Sequence, residues 1–470
     1  MANPRRTAVL NIVGLSDRHI GPHTPNILAY RNAGKQVFID PAFPAVTCTA
    51  QSDYLTGKTS GAHGAVANGW YHRDLSEVQF WKQSDHLVQA PKVWETLRDR
   101  HPDFTCAKLF WWYNMYSSVN WSITPRPMYP ADGRKVFDIH THPNNTRTDI
   151  KRDLGEFPFP GFWGPAAGLD TSQGSADCVS RWIAESAKWI EDKHSPTLSL
   201  VYLPHLDYNL QRFGPESGAI ATDLREIDTI VGGLLEFYQK NDVQVVLLSE
   251  YGITEVNKAI HLNRLFRKQG WLSVKEELGR ELLDTGASRA FAVADHQVAH
   301  VYLNRNEDDS FRNKVQNFLN EVEGIQAIFD ASSKKEMGID HNRSGDLIAV
   351  AKENAWFTYY YWLEDACAPD FARTVDIHRK PGFDPAELFI DPQITFPKLR
   401  ITCRLLQKKL GLRMLMDVIP LDASLVKGSH GCRPSSRSDW PVCIGPDENW
   451  FQGEVLKSTD IHNVILQAVG

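Results

Sequence analysis

"DVQVVLLSEYGITEV", residues 242–256, is apolar and β-branched as far as Leu248 and then turns polar. Four consecutive apolar residues, Val245 to Leu248, are typical of a strand that is buried on both faces of a sheet. Open α/β sheets bind their ligands at the carboxyl ends of such strands. Glu250 and Tyr251, just beyond the strand, are therefore expected in a functional site, as metal ligands, as acid–base groups, or as remnants of lost chemistry.

Similar apolar runs recur along the chain and alternate with helix-like segments. The runs lie at residues 8–15, 106–113 and 197–203, and the helical segments at residues 24–34, 91–100, 176–194 and 218–240. The last segment repeats its apolar residues every three or four positions, as a helix with one face packed on a sheet does. Strands that alternate with helices predict an α/β fold with a doubly wound, mostly parallel sheet and helices on both faces.

Two segments depart from this alternation. Residues 108–165 are rich in Pro, Asn and aromatic residues and have weak periodicity, which predicts an insertion or lid near the rim of the sheet, or else an aromatic-packed surface excursion. Residues 285–362 alternate β-type runs with a helix near residues 310–322, which predicts a smaller α+β subdomain. The α/β core would then consist of residues 1–107, 166–284 and 363–470.

The composition is that of a globular protein with a sizeable core. The chain has 470 residues, 42% hydrophobic and 23% charged, and a net charge of −6 from 51 basic and 57 acidic residues. This charge favours neither nucleic acid nor an anionic membrane as the main partner. No apolar stretch approaches the ~20 residues of a membrane span, and the first apolar run is too short for a signal peptide. The seven cysteines lack the spacing of a disulfide framework, so we expect a cytoplasmic protein without a membrane span.

Residues 41–64, PAFPAVTCTAQSDYLTGKTSGAHG, place Thr47 at a junction between a loop and a helix. Backbone N–H groups and the helix dipole favour a phosphate or another anion at such a junction. The Thr47 hydroxyl could act as a nucleophile there if a metal or a base lowers its pKa. The commoner role of a threonine at this position is to cap the helix.

Residues 200–215, LVYLPHLDYNLQRFGP, carry three polar side chains directly after a predicted strand: His205, Asp207 and Gln211. Carboxylate oxygen and imidazole nitrogen are standard ligands of divalent metals, so this block is a candidate metal site. Asp207 could equally cap the next helix.

Several histidines are further candidate ligands, each weak by itself. His430 lies among small residues in LVKGSHGCRP, which leaves room around its ring, although a histidine in such a setting is more often a surface-loop residue. The other candidates are the pairs Asp295–His296, Asp376–His378 and His140–His142.

In chain order, a series of sequence blocks resembles the nucleotide pyrophosphatase/phosphodiesterase branch of the alkaline phosphatase superfamily. The blocks are TPNI, FPAVTCTAQSDYLTG, HGAVANGWY, YLPHLDYNLQRFGP, VVLLSEYGI, KGSHG and WPVCIGP, and they span about residues 7–450. The resemblance implies a doubly wound α/β core in which a hydroxyl nucleophile and two zinc ions, at the carboxyl ends of strands, split phosphate diesters or monoesters.

Carried over residue by residue, the resemblance implies that Thr47 is the nucleophile, Asp207 the carboxylate ligand of the first metal and His430 the last histidine of that metal. The block HGAVANGWY and the aromatic run near residue 110 supply the expected substrate-binding residues, which are Asn68, Trp70, Tyr71, Trp112 and Tyr113. The aromatic run, with Trp111 and Trp121, could stack on a base or another apolar group, or could simply pack in the core.

Other positions depart from the family pattern. Val13 stands where the family has a metal-binding Asp, Ala50 where it has an Asn that helps to hold phosphate, and Gln211 where it has a His. Glu250-Tyr251 replaces an Asp-His pair. Valine cannot bind a metal, and tyrosine is a poor zinc ligand unless it is deprotonated, far below its usual pKa of about 10.

These departures predict one divalent metal, zinc or manganese, and make a second metal doubtful. A catalytic zinc usually keeps three protein ligands and one open position. The first metal position offers Asp207, His430 and the amide oxygen of Gln211, with His205 or His378 as possible substitutes. The second position offers only Glu250 and the nucleophile hydroxyl.

The leading hypothesis is therefore a divergent metal-dependent phosphoester hydrolase that acts on a phosphodiester or a nucleotide pyrophosphate. Thr47 would attack phosphorus, Glu250 would serve as a second ligand or a general base, and Tyr251 would donate a hydrogen bond to the developing charge. An alternative is a catalytically altered or inactive family member that binds a phosphorylated small molecule without two-metal hydrolysis. A third is a metal-free transfer reaction run by the acid–base groups. In each case the expected partner is a phosphorylated small molecule and not a nucleic acid.

Overall fold

The structure is a computed structural model that describes residues 4–132, 134–163, 176–304 and 307–470. Its β-strands, in chain order, are β1 Thr7–Ile12, β2 Lys35–Asp40, β3 Gly69–His72, β4 Glu77–Phe80, β5 Cys106–Leu109, β6 Trp121–Pro125, β7 Ile139–His142, β8 Leu198–Leu203, β9 Gln244–Leu248, β10 Thr254–Glu255, β11 Lys258–Ile260, β12 Ser273–Glu277, β13 Arg280–Asp284, β14 Ala290–Asp295, β15 Val298–Leu303, β16 Ile325–Phe329, β17 Leu347–Ala351, β18 Ala355–Phe357, β19 Gly428–Ser429, β20 Val442–Gly445 and β21 Val455–Lys457. Its α-helices are α1 Pro25–Ala33, α2 Thr47–Thr56, α3 Ser60–His63, α4 Val93–Arg100, α5 Thr146–Leu154, α6 Pro160–Trp163, α7 Ala176–His194, α8 His205–Phe213, α9 Ile220–Lys240, α10 Leu262–Lys268, α11 Asp309–Asn320, α12 Ala331–Glu336, α13 Pro397–Lys409 and α14 Ile461–Val469.

Nine strands form one central sheet in the order β21–β2–β20–β9–β1–β8–β5–β6–β7. Neighbours run parallel except at β20, which is antiparallel to β2 and β9, and at β7, which is antiparallel to β6. The strand that contains Val245–Leu248 lies between β20 and β1 and is buried, as its continuous apolar run predicts. The expected α/β class with a mostly parallel sheet is confirmed.

The helices cover the sheet in two groups, one on each side of it. Helices α1 and α7 both contact α9, α7 packs on β8, and α9 packs on β9. Helix α14 contacts β1 and β9 and joins α2 and α4 in the second group. Helix α9 presents Leu224, Ile227, Val231 and Leu234 as buried residues, so its three-and-four spacing does mark the face that packs inward.

The predicted strand at residues 106–113 is too long. β5 ends at Leu109, because Phe110 and Tyr113 have φ angles of 64° and 51°, in the left-handed region that turns the chain away from the sheet. The aromatic run after Leu109 is nevertheless buried, with Trp111 and Trp112 inside the hydrophobic core. An irregular segment that is buried on both sides therefore has the same apolar sequence pattern as a buried strand.

Parts of the segment predicted as an insertion belong to the central sheet. Strands β6 and β7, within residues 108–165, are its last two strands, and the boundary after residue 165 lies outside the described residues. Within residues 285–362, β14, β15, β17 and β16 form a separate antiparallel sheet that is accompanied by α11 and α12. The division of the chain into domains stays a prediction.

The turn between β14 and β15 connects the smaller sheet to the edge of the central one. His296 lies in this turn with a φ of 59°, and the N–H of Gln297 donates to the carbonyl of His430 at 2.9 Å. This contact brings Asp295 and His296 to the carboxyl ends of the central strands.

In the described part of the chain, no helix has the length and apolar character needed to cross a membrane.

A buried ion cluster fixes the segment that leads from the smaller sheet towards α13. The Nζ of Lys380 lies 2.7 Å from Asp384 Oδ2 and 2.6 Å from Glu387 Oε1, and the three side chains are at most 2% exposed. The other oxygen of Asp384 accepts from the N–H of Ala386 at 3.1 Å. Removal of the cation would leave two buried carboxylates facing each other.

We expect Lys380→Met to lower the free energy of unfolding by about 3–5 kcal/mol, because a broken buried ion pair leaves uncompensated charge. Urea unfolding would measure this loss. Lys240→Met is the control, since Lys240 pairs with Glu236 on the exposed face of α9 and should change the free energy of unfolding by an unresolvable amount. Equal free energies of unfolding for the two variants would contradict a stabilising role of the Lys380 cluster.

Candidate active site

Thr47 is the first residue of α2 and does not cap it. The capping position is Val46, and the Thr47 hydroxyl instead lies 3.1 Å from the hydroxyl of Tyr251. The side chain is 3% exposed. A hydroxyl at the amino end of a helix, where the first backbone N–H groups have no partner within the helix, is placed for an anionic ligand, although the N–H of Cys48 is taken by the side chain of Asn68.

Tyr251 connects Thr47 to Asp207. It follows β9, and its hydroxyl donates to Asp207 Oδ1 at 3.1 Å while lying 3.1 Å from Thr47 Oγ1. Burial, and next the charges of Asp207 and Glu250, raise the pKa of Tyr251 well above its usual value, so the hydroxyl keeps its proton. Since this one proton goes to Asp207, Tyr251 is the acceptor in its contact with Thr47, and the Thr47 proton points towards the Tyr251 oxygen.

Asp207 lies in the first turn of α8, and Gln211 lies one turn later on the same face. The amide of Gln211 donates to Asp207 Oδ2 at 2.8 Å. Burial raises the pKa of Asp207 to about 7, although the hydrogen bonds from Tyr251 and Gln211 act in the opposite direction. The carboxyl group therefore changes charge near neutral pH.

His430 completes this group from the loop after β19. Its Nε2 atom lies 3.8 Å from Asp207 Oδ1, and its ring stacks on that of Tyr251 with centroids 3.6 Å apart. Its Nδ1 atom lies 2.7 Å from the carbonyl oxygen of Ala45, which fixes the proton on that nitrogen. Burial, and next the imidazole of His296, hold the pKa of His430 well below its usual range, so Nε2 presents a lone pair.

Glu250 stands at the end of β9 but faces amide donors. Its Oε1 atom accepts from Asn11 Nδ2 at 2.5 Å and from Gln51 Nε2 at 2.6 Å. Burial raises the pKa of Glu250 to about 8, against the opposing effect of these hydrogen bonds. Gln51 is itself held by the N–H of Trp112, which donates to Gln51 Oε1 at 2.7 Å.

Sequence reasoning missed Asn11, Gln51 and the role of His296. Asn11 is the one polar residue inside the apolar run AVLNIVGL, and Gln51 lies four residues after Thr47 on the same helical face. Both signals were present in the sequence. His296 reaches the Thr47 site from a hairpin of the smaller sheet. Beyond the weak pair Asp295–His296, the sequence shows no sign of this.

Asp295 orients His296 through a 2.8 Å contact with Nδ1, and the amide of Asn68 holds Asp295 in turn. Asn68 also accepts from the N–H of Cys48 at 3.0 Å. Asn68 therefore holds the amino end of α2 and does not line the cavity in which Thr47 lies.

The other predicted residues are scattered. Trp70 packs under Arg343, and the ring of Tyr71 meets Phe291 edge-on, away from Thr47. Tyr113 is buried in the core. Trp121 stacks on His194 with ring centroids 4.6 Å apart.

The two substitute metal ligands also lie elsewhere. His205 Nε2 lies 3.3 Å from the carbonyl of Asp223, and His378 lines a neighbouring cavity together with Asp376. His140 lies at a third cavity beside Arg147. The predicted roles of all these residues stay predictions.

Two adjoining cavities meet at this site. The smaller has a volume of about 30 Å³, and its walls include Thr47, Tyr202, Asp207, Tyr251, His296 and His430. The larger has a volume of about 670 Å³ and shares Trp81, Trp112 and Phe162 with the smaller. Trp112 is thus the one predicted substrate-binding residue, among those within the described part of the chain, that lines the Thr47 cavity.

The larger cavity is aromatic and positively charged. Its aromatic walls include Tyr116, Tyr129, Phe137 and Phe159. Its basic residues are Lys82, Arg126, Lys135 and Arg379, set against the carboxylate of Asp376. In a chain with a net charge of −6, this excess of basic residues favours an anionic ligand with an apolar part.

The residues present do not fit a two-metal centre. The Tyr251 hydroxyl stands between Thr47 and Asp207, and Glu250 Oε1 is occupied by two amide donors. Among the described residues, no three His, Cys, Asp or Glu side chains are grouped so that they could hold a metal ion.

A single divalent ion does fit a mixed set of donors. His430 Nε2 and Gln211 Oε1 are buried atoms that find no hydrogen-bond partner in the described residues. With Asp207, whose two oxygens accept hydrogen bonds from Tyr251 and Gln211 that a metal would have to replace, they would provide one nitrogen and two kinds of oxygen donor, which zinc and manganese accept.

Comparison with known proteins agrees with this geometry. Residues 7–384 match the sequence model of the type I phosphodiesterase/nucleotide pyrophosphatase family. An uncharacterized pyrophosphatase/phosphodiesterase of Schizosaccharomyces pombe is 26% identical over 251 residues, which are 52% of this chain and 44% of that protein. The chain thus spans less than half the length of that relative.

Solved structures share the fold at low identity. An inactive form of murine ectonucleotide pyrophosphatase/phosphodiesterase 5 in complex with AMP is similar at a TM-score of 0.57 and 13% identity, over 99% of this chain and 95% of that one. Phosphonoacetate hydrolase from Sinorhizobium meliloti in complex with phosphonoacetate is similar at a TM-score of 0.60 and 11% identity, over 99% and 96% of the two chains. The sequence blocks around Thr47 and Asp207 lie within the matched residues, and this chain belongs to the type I phosphodiesterase/nucleotide pyrophosphatase family.

Proposed function

We propose that the protein hydrolyses a phosphoester of a small molecule with Thr47 as the nucleophile. The observation that carries this proposal is the connected series Thr47–Tyr251–Asp207 with His430 beside it, at the amino end of α2. Family membership supports the reaction class. Two structural neighbours are complexes with AMP and with phosphonoacetate, which supports a small phosphorus-containing ligand.

The hydrogen-bond direction defines how Thr47 would lose its proton. As the Thr47 oxygen forms its bond to phosphorus, its proton passes to the Tyr251 oxygen, and the Tyr251 proton passes to Asp207. The bond from phosphorus to the leaving alkoxide breaks in the same step, and the alkoxide takes up the proton that reached Asp207. Water then adds its OH to phosphorus and returns its proton to the Thr47 oxygen, which releases a phosphomonoester from a diester substrate or phosphate from a monoester. Glu250 is the second carboxylate close to Thr47 and the alternative proton acceptor.

Positive charge at the site comes from two sources in this proposal. The helix dipole at the amino end of α2, where Thr47 lies, favours an anion. A divalent ion held by Asp207, His430 and Gln211 would supply positive charge to the phosphate oxygens.

The larger cavity would hold the remainder of the substrate. It lies against the same Trp81–Trp112–Phe162 wall as the Thr47 cavity, so a ligand can reach from one to the other. Its aromatic surfaces suit an apolar ring, and Lys82, Arg126 and Lys135 suit a second anionic group.

A second candidate function is binding of a phosphorylated molecule without turnover. The cavity at Thr47 is only about 30 Å³, and the buried carboxyls of Asp207 and Glu250 repel a phosphate when both are ionised. Val13 and Ala50 supply no polar group where the family has Asp and Asn.

A cytoplasmic location belongs to this proposal. The cysteines whose side chains the structure describes, which are all except Cys178, are free thiols. Free and mostly buried thiols are typical of a reducing compartment.

We expect Thr47→Ala to reduce hydrolysis of bis-para-nitrophenyl phosphate on the order of a thousandfold or more, because the attacking oxygen is lost. Thr49→Ala is the matched control, since its hydroxyl donates to the carbonyl of Ala65 and does not line the cavity. Steady-state kinetics on both variants measure the difference. Undiminished activity of Thr47→Ala would exclude the mechanism, and AMP binding by an inactive wild-type protein would establish the second candidate.

We expect the purified protein to bind about one zinc or manganese ion per chain, and Asp207→Asn to lose it, because the carboxylate is its one charged ligand. Elemental analysis after gel filtration gives the stoichiometry independently of activity. Asp309→Asn, on an exposed turn, is the control. Equal metal content in Asp207→Asn and Asp309→Asn would rule out this site.

We expect Glu250→Gln to become progressively more stable than the wild type as pH rises from about 5 to about 9. In the folded protein the pKa of Glu250 is about 8, so the folded state keeps a proton that the unfolded chain has lost, and rising pH favours unfolding. The amide substitution removes this effect and still accepts from Asn11 and Gln51. The gain is at most about 4–5 kcal/mol, at ~1.4 kcal/mol per pKa unit.

Urea unfolding in the presence of EDTA at several pH values measures this gain. Asp207 titrates in both proteins, and, besides burial, its charge contributes to the raised pKa of Glu250 in the wild type. Glu236→Gln on the exposed face of α9 is the control, because Lys240 lowers the pKa of Glu236. A stability difference that does not change with pH would show that Glu250 is ionised throughout.

A further inference from the structure

Helix α13 has an apolar face that no described part of the chain covers. Leu399, Cys403, Leu406 and Leu410 follow one another at spacings of four, three and four residues, which places them on one side of the helix. Leu399 is 61% exposed, Leu406 55% and Leu410 67%. No residue of this helix is fully buried.

The opposite side of the helix is attached to the protein. Ile401 packs against a small cluster of Ala386, Val418 and Ile419, separate from the main core. Arg400 and Arg404 both pair with the carboxylate of Asp417. These contacts fix the rotation of the helix about its axis and point the leucine face outward.

The leucine face is flanked by basic residues. Between residues 392 and 416 the chain has six basic residues and no acidic one: Lys398, Arg400, Arg404, Lys408, Lys409 and Arg413. Arg400 and Arg404 pair with Asp417, so the flanking charge comes from the others. Phe396 and Leu412, at 69% and 59% exposed, continue the apolar surface beyond both ends of the helix.

We propose that this face of α13 docks on an anionic lipid bilayer. The leucines enter the boundary between headgroups and acyl chains, while the flanking lysines contact headgroup phosphates. A short amphipathic helix with leucines on one face and cations beside them has the character of an interfacial element and not of a membrane span.

The geometry favours a bilayer over a protein partner. The Ile401 side of α13 is already occupied, so only the leucine side is open to a ligand, and a flat lipid surface needs only that side. A second copy would place the same cations opposite each other without an acidic residue of this segment to pair with them. The leucine face itself also lacks the aromatic and arginine side chains that are typical of protein interfaces.

Vesicle flotation tests the proposal with the full chain. We expect wild-type protein to float with phosphatidylcholine vesicles that contain about 30 mol % phosphatidylglycerol. Its binding to pure phosphatidylcholine vesicles should be weaker by about tenfold or more. The variant Leu399→Gln/Leu406→Gln/Leu410→Gln should lower binding to the anionic vesicles at least about tenfold. The variant Lys398→Glu/Lys409→Glu should lower it similarly and remove the dependence on salt.

Matched controls are available elsewhere on the surface. Leu75→Gln changes a leucine that is 59% exposed outside this face, and Lys240→Glu changes a cation on α9; both should bind vesicles as the wild type does. Unchanged thermal unfolding and phosphodiesterase activity in all variants keep this test separate from that of the Thr47 reaction. Wild-type protein that does not float, or a concentration-dependent dimer that the leucine variant abolishes, would overturn the proposal.

Discussion

The parallel register of β9, β1 and β8 is the constraint on which the rest of the site depends. These three strands are adjacent, and each runs in the same direction, so their carboxyl ends meet at one edge of the sheet. Asn11 near the end of β1, the α8 turn after β8 and the polar residues after β9 therefore converge there. Helix α2 adds Thr47 from the other side of the same edge. Every polar contact of the site follows from this shared edge.

Burial, more than any ion pair, determines the electrostatics of this edge. The carboxyl groups of Asp207 and Glu250 have raised pKa values mainly because they lie away from water, and amide and hydroxyl donors compensate only in part. The imidazoles of His296 and His430 are neutral for the same reason. The site thus presents several lone pairs and few donors. These lone pairs must therefore be balanced by a proton, a cation or a ligand that binds at the site.

Charge in this protein matters through its placement. The net charge of the whole chain is −6, but two regions carry an excess of basic residues. One is the rim of the larger cavity, and the other is the segment around α13, which has six basic residues and no acidic one. An average over the chain predicted no preference for an anionic surface, yet both features present cations beside exposed or half-exposed apolar side chains. The first faces a cavity and the second faces outward, so they serve different ligands.

The sequence by itself determined the α/β class and the burial of Val245–Leu248, because periodicity marks buried strands. The meeting of Thr47, Asp207 and His430 was implied only by the resemblance of their sequence blocks to a known family, and the structure brings the three side chains together. The sequence did not determine that Tyr251 would connect Thr47 to Asp207 or that His296 would reach the site, because those contacts join residues far apart in the chain. It also left open which aromatic residues line a cavity: Trp112 does, whereas Trp121 stacks on His194. Only the tertiary structure decided these points, since a local pattern shows that a side chain is apolar or polar but not which distant surface covers it.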